Sequence, residues 1–283
     1  TLSNIWRSWN LNVPKILHIY WGGGTLPYMR YLTVKTFIDL NPDWDVYLWT
    51  PMVESNNVSW CSGENSYKVV CRDYMPYLLK LPVIHTVIDF SEYGFTRNSA
   101  EVHKADYMRI TLLNHYGGLW SDMDIIYFKP MNELYVNKPQ YEDKEAFGCI
   151  AHYGHSTGFV MAQPDSRMFK TLANRIPECF SPGSYQCLGP DLFNKYFRNK
   201  IPGGVNLSMD VVYAHDALNQ GDLIKLKKGR FTEKSIGCHW YGGHPMWGRF
   251  IRDTNGGLEN LQDNLISNLI RDGQLRNASK SIV

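Results

Sequence analysis

No apolar run in this sequence reaches the ~18 residues a membrane-crossing helix needs, so nothing in the chain spans a bilayer. An excess of one charge is also missing. Against 29 Lys and Arg stand 27 Asp and Glu, a net charge of +2, which argues against nucleic acid or an anionic membrane surface as a partner. There is no Cys-x-x-Cys pair, which removes the usual structural zinc site. Without an internal repeat or a low-complexity linker, one domain over residues 1–283 is the expectation, with an irregular insertion around 51–80. No signal-like segment opens the chain at Thr1, which reads as a piece processed or trimmed from a longer, membrane-anchored protein.

What is present suits a large α/β domain with its own core. Eighteen Tyr and nine Trp suit stacking on sugars or bases, although most must serve the core. The six cysteines are an even number, and three glycosylation sequons begin at Asn57, Asn206 and Asn277. Together they favour a secretory, Golgi-type lumen over the cytoplasm. Cys61 with Cys71, or Cys179 with Cys187, would close a short loop, whereas Cys149 and Cys238 lie in apolar segments and read as buried thiols.

Taken in order, Pro14 to Trp21 reads as a buried strand ending at Gly22-Gly23-Gly24. A helix from Pro27 to Leu40 stops at Asn41-Pro42, and a strand follows from Trp44 to Trp49, making one βαβ unit. A short helix near Tyr74 to Leu81 and a strand from Val83 to Phe90 come next. Asn98 and Glu101 are spaced as a capping box for a helix running to His115 and ending at Gly117-Gly118. Further strands are expected at Ala146–Ile150, Gly158–Ala162 and Val211–Ala214, and helices at Asp165–Ile176, Asp191–Phe197 and Leu258–Ile270.

The most informative stretch runs from Gly117 to Phe128, where Asp122 and Asp124 stand among apolar residues after the Gly-Gly turn. On a strand the two carboxylates point the same way. Two hard oxygen ligands side by side suit Mn²⁺ or Mg²⁺ and leave positions open for phosphate oxygens. Burying both without a cation would be costly. A second pair, Asp43-Trp44-Asp45, reads as a turn entering a strand. Asp106 and Arg109 share a helix face that feeds into the aspartates. Near the C-terminus, His239 follows a strand-like run and is a candidate third ligand or phosphate contact, with His244 as its competitor.

Three blocks resemble glycosyltransferases of the sugar-binding DXD superfamily. They are Pro14 to Gly22, Asn41 to Trp49, and Lys104 through Gly117-Gly118 to Asp124 and Lys129-Pro130. The pattern is similar to Och1-type mannosyltransferases, α-1,4-galactosyltransferases and capsular polysaccharide transferases, and more distantly to the clostridial glucosylating toxins. The resemblance implies an α/β fold of the GT-A, Rossmann-like type, with a central mixed sheet flanked by helices. It also implies a nucleotide-sugar donor, Mn²⁺ (or Mg²⁺) and retention of anomeric configuration. By position, Trp21 with Gly22 would meet the base, and Asp106 and Arg109 the donor sugar. Asp122 and Asp124 would engage ribose and metal, with Trp120 beside them. Ser156 and Thr157 stand where the family places an Asn-Gly near the sugar, and here the Asn is missing. His239-Trp240 would complete the metal and diphosphate site. The opening strand is most like that of the toxins, which favours a UDP-sugar donor; a GDP-mannose-dependent mannosyltransferase is the alternative. The acceptor would be a hydroxyl on a glycan, a glycolipid or another molecule.

Three other classes compete. A phosphotransferase using an aspartyl nucleophile would want a small or hydroxyl residue soon after the pair, and Ile125-Ile126 argues against it. A glycoside hydrolase needs carboxylates ~5 to 9.5 Å apart across a sugar, which a single Asp-x-Asp fits poorly. A non-catalytic sugar-binding protein would show no turnover and would tolerate Asp124→Ala.

Overall fold

A computed structural model describes residues 13–22, 24–56, 72–134, 139–151, 154–215, 218, 221–244, 246–254 and 263–271. The strands are β1 (Ile16–Tyr20), β2 (Asp45–Pro51), β3 (Val83–Ile88), β4 (Gly118–Ser121), β5 (Ile125–Tyr127), β6 (Ala146–Ala151), β7 (Gly154–Ala162), β8 (Val205–Leu207) and β9 (Gly237–His239). The helices are α1 (Tyr28–Leu40), α2 (Met75–Leu78), α3 (Glu101–His115), α4 (Arg167–Cys179), α5 (Pro190–Phe197), α6 (Asp222–Lys225) and α7 (Trp247–Thr254). Seven strands form one mixed sheet in the order β3-β2-β1-β4-β7-β6-β8. The half from β3 to β4 is parallel, and β7 then runs antiparallel to both β4 and β6. β5 and β9 make a separate antiparallel pair.

β1 is buried along its whole length, as a central parallel strand must be. α1 ends where Asn41 turns its side chain back, donating from Nδ2 to Phe37 O at 2.9 Å and accepting the Met131 amide at 2.7 Å. β4 enters between the two halves of the sheet through Gly117 (φ 66°) and Gly118 (φ 97°). Only glycine takes this path, because a Cβ on Gly118 would lie 2.5 Å from Ile16 O and one on Gly117 2.7 Å from Ala162 O.

His18, in the middle of β1, fastens that turn. Its Nε2 lies 3.0 Å from Gly117 O and its Nδ1 accepts from Trp49 Nε1 at 3.3 Å, which specifies the neutral ring with the proton on Nε2. Burial lowers its pKa to about 4 from 6.5, against the opposing pull of the Gly117 carbonyl. The unfolded chain therefore binds the proton more readily, and stability present above pH 6.5 is lost as pH falls towards 4. Relative to His18→Gln, the wild type should lose about 3 kcal/mol across that window, read from urea unfolding at stepped pH. Parallel pH profiles of the two proteins would refute the assignment.

The structure corrects several sequence expectations. α3 starts at Glu101 with Ala100 as an unbonded cap, so the Asn98–Glu101 capping box does not form. Asn98 instead accepts from Asn56 Nδ2 at 3.1 Å, and Glu101 turns into the core. Residues 211–214 are not a strand. Met209–Val211 is a 3₁₀ turn capped by Ser208, although Val211 and Val212 still accept the amides of Ile236 and His239 at 2.9 and 2.7 Å. Cys179 and Cys187 are separate thiols, their sulfurs accepting from Lys195 Nζ at 3.3 Å and the Ser181 amide at 3.4 Å. Cys149 and Cys238 are buried thiols, each pushed up to about 12 by desolvation. Cys61, Cys71, Asn57, Asn277 and the first part of the expected C-terminal helix lie outside the described residues; 265–271 of that helix is helical. No described helix is long and apolar enough to cross a membrane.

Candidate active site

The two aspartates do not share a strand. β4 stops at Ser121, and Asp122, Met123 and Asp124 form the turn by which the chain leaves the large sheet and enters β5. Their convergence comes from that turn and from the groups that hold each carboxylate. The Asp122 amide donates to Gly158 O at 2.8 Å, keeping the turn against β7. Asp122 Oδ1 accepts from Trp120 Nε1 at 2.8 Å and Arg109 Nη2 at 2.9 Å. Asp124 Oδ2 accepts the Gly242 amide at 2.8 Å and lies 3.5 Å from Arg30 Nη1.

β9 brings His239 to the same place. The donor atoms of Asp122, Asp124 and His239 all lie within 4.8 Å of one another. Gly158 floors this cluster: a Cβ there would stand 2.7 Å from Asp122 Oδ2 and 3.1 Å from His239 Nε2. Two observations bear on whether a hard divalent cation fits. Asp124 Oδ1 is buried and accepts no hydrogen bond, although His239 Nε2 approaches to 3.0 Å. Such an acceptor, beside a second carboxylate, is the donor set Mn²⁺ or Mg²⁺ takes. His239 Nδ1 accepts the Tyr241 amide at 3.2 Å, which leaves the ring proton on Nε2. The imidazole joins the ligands through Nε2 only in the other neutral tautomer, with its proton on Nδ1, which gives up the hydrogen bond from the Tyr241 amide. Desolvation pushes the Asp124 carboxyl up, but His239, Arg30 and the Gly242 amide outweigh it and hold it well below the usual range. His244, by contrast, is exposed, and its Nδ1 accepts the Met246 amide at 3.3 Å.

α3 delivers Asp106 and Arg109 to the neighbouring wall of an open cleft whose other lining includes Trp21, Gly22, Trp120, Asp122 and Asp124. Arg109 is buried; it donates to Asp106 as well as to Asp122 and lies over the Trp120 ring at 5.2 Å. Burial raises Asp106 to about 6, partly offset by Arg109. Gly189 lets α5 approach that carboxyl, since a Cβ there would stand 2.8 Å from Asp106 Oδ2. Trp21 is set by its Nε1 donating to Gly24 O at 2.9 Å. Gly22 lies against the Glu101 carboxylate, which a Cβ there would displace.

Four expected site residues, Ser156, Thr157, His239 and Trp240, are not in the cleft lining. Ser156 and Thr157 belong to β7, and Trp240 is fully buried, packed edge-on against Trp247 behind Asp124. Two charged residues line the cleft without having been anticipated. Glu101 is buried and accepts from the Tyr20 hydroxyl, from Lys104 Nζ at 2.9 Å and from the Ser55 amide at 3.2 Å. Arg30 sits one turn into α1; a charged residue among the apolar positions that bury this helix was its only sequence signal.

Residues 29–141 match the family described as the glycosyltransferase sugar-binding region containing a DXD motif. Two curated relatives match over similar lengths. Inositol phosphoceramide mannosyltransferase 3 of Schizosaccharomyces pombe is 25% identical over 121 residues, 43% of this chain and 27% of that protein. Inositol phosphoceramide mannosyltransferase 2 of the same yeast is 29% identical over 112 residues, 40% of this chain and 25% of that protein. The chain thus spans about a quarter of the length of the curated relatives it matches. Among solved structures, the glycosyltransferase GlyE of Streptococcus pneumoniae TIGR4 is similar with a TM-score of 0.51 at 12% identity, over 95% of this chain and 64% of that one. That likeness concerns the fold, which is the GT-A arrangement expected from the sequence.

Proposed function

With residues 29–141 forming a DXD-containing glycosyltransferase sugar-binding region, we propose that this chain transfers a hexose from a nucleoside diphosphate sugar to a hydroxyl acceptor, with retention of configuration. The observation that carries the reading is the Asp122–Asp124–His239 cluster, whose two aspartates line one cleft with Asp106 and Arg109. Asp122 and Asp124 would hold a divalent cation, with His239 completing the set in the tautomer that carries its proton on Nδ1. A bound Mn²⁺ or Mg²⁺ supplies charge stabilisation to the departing diphosphate. Arg109, held by two carboxylates, presents a fixed cation beside the donor, and Asp106 offers a buried acceptor for a sugar hydroxyl. Trp21 offers an aromatic face for the base. Ser156, Thr157 and Trp240 act, in this reading, by shaping the walls behind these residues. We place the domain in a Golgi-type secretory lumen, which the three sequons support. The acceptor is a glycan or glycolipid hydroxyl.

A UDP-sugar is favoured by the form of the opening strand. A second reading, a GDP-mannose donor, draws on the two mannosyltransferases to which part of the chain is similar. Calorimetric titration with UDP and GDP hexoses, with and without Mn²⁺, tests both. Tight, Mn²⁺-dependent binding of one base class is expected, and binding of neither would remove the transferase reading. Trp21→Ala should weaken the preferred nucleotide by about 1–3 kcal/mol if the ring stacks on the base. An unchanged affinity would place Trp21 outside the base site.

A further inference from the structure

Arg30 is 5% exposed, yet it lines the cleft. Its guanidinium lies 5.7 Å from the Trp21 ring, 5.0 Å from the Trp240 ring and 3.5 Å from Asp124 Oδ2. The neighbouring chain is shaped to admit it: a Cβ on Gly242 would stand 2.7 Å from Arg30 Nη2. The cation therefore occupies the stretch of wall between the aromatic face that would carry a base and the carboxylate that would carry a metal. A nucleotide reaching from one to the other brings its phosphates past Arg30.

We propose that Arg30 binds the diphosphate of the donor and thereby makes diphosphate and metal binding depend on one another; this rests on the nucleotide-sugar reading above. The planar guanidinium presents paired donors to phosphate oxygens, a geometry lysine lacks. Its position beside Asp124 adds a second effect of opposite sign. With no diphosphate bound, the guanidinium charge opposes a divalent cation at the same carboxylate. With diphosphate bound, that charge is matched, and metal and nucleotide support each other. A residue that merely braced Asp124 would favour the metal in both states. One that merely propped Trp21 would act on the base alone.

The test uses Arg30→Met and Arg30→Lys in the whole chain, with Mn²⁺ alone, UDP, GDP and the matching nucleosides as probes. Arg30→Met should weaken the preferred nucleoside diphosphate by about 10- to 100-fold in Mn²⁺. It should leave the nucleoside unchanged and tighten Mn²⁺ alone. Arg30→Lys, which keeps the charge, should leave Mn²⁺ alone as in the wild type while recovering only part of the diphosphate affinity. If Arg30→Met does not fold, Arg30→Lys decides: wild-type diphosphate affinity in that variant overturns the proposal. Equal losses for nucleoside and diphosphate, or weaker Mn²⁺ binding in folded Arg30→Met, also overturn it. Failure of the transferase reading looks different, because the wild-type chain would then bind neither UDP nor GDP.

Discussion

Asp124→Asn should lower turnover by about three orders of magnitude, roughly 4 kcal/mol of transition-state stabilisation, and remove Mn²⁺-dependent donor binding. The side-chain oxygen of Asn can still accept the Gly242 amide that now meets Asp124 Oδ2. Its amide group would then replace Oδ1, the buried oxygen that accepts no hydrogen bond. The change thus removes the acceptor facing Asp122 and His239 while leaving the turn closed. Calorimetry with Mn²⁺, together with circular dichroism to confirm folding, reads the two effects separately. Wild-type Mn²⁺ affinity in the folded variant would disprove the metal assignment.

Lys104→Met should have the largest effect on stability. Lys104 is 2% exposed, with Nζ 2.9 Å from Glu101 Oε1 and 2.6 Å from Ser55 Oγ, and it lies 5.2 Å from the Phe90 ring. Methionine fills a similar volume but leaves Glu101 as a buried carboxylate held, among the described residues, by the Tyr20 hydroxyl and the Ser55 amide. Breaking a buried pair from one side costs about 3–5 kcal/mol, and urea unfolding at pH 7 measures it. Adding Glu101→Gln should restore part of the loss, because it removes the stranded charge. A single-variant cost near zero would show that solvent already reaches this network.

These residues also mark how far the sequence could be followed. β1, α1 and β2 were legible because apolar runs, Asn41-Pro42 and the glycines act locally, and local signals decide element type. The aspartate pair was legible as chemistry but not as geometry. Alternation on a strand and convergence in a turn both bring two carboxylates together, and only pairing with β7 and β9 distinguishes them. Glu101 was misread for a similar reason: its spacing from Asn98 fits a cap, whereas its partner Tyr20 lies 81 residues away. Trp240 carried the pattern of a binding aromatic and proved to be the floor under Arg30. His239 and His244 differ by five positions in the chain; the ladder between β5 and β9 decides which one reaches Asp124.

That ladder also imposes an order on biosynthesis. Asp124 carries its backbone oxygen to Trp240 and its side chain to Gly242, at 2.9 and 2.8 Å, and β5 pairs with β9. A nascent chain that has emerged only through the family-matched region, ending at residue 141, already holds both aspartates but not the strand that shapes them. If the aspartates hold a cation as proposed, affinity for it should therefore arise only once the chain beyond Gly242 has emerged, so that a product truncated before that point is born unable to compete for the metal.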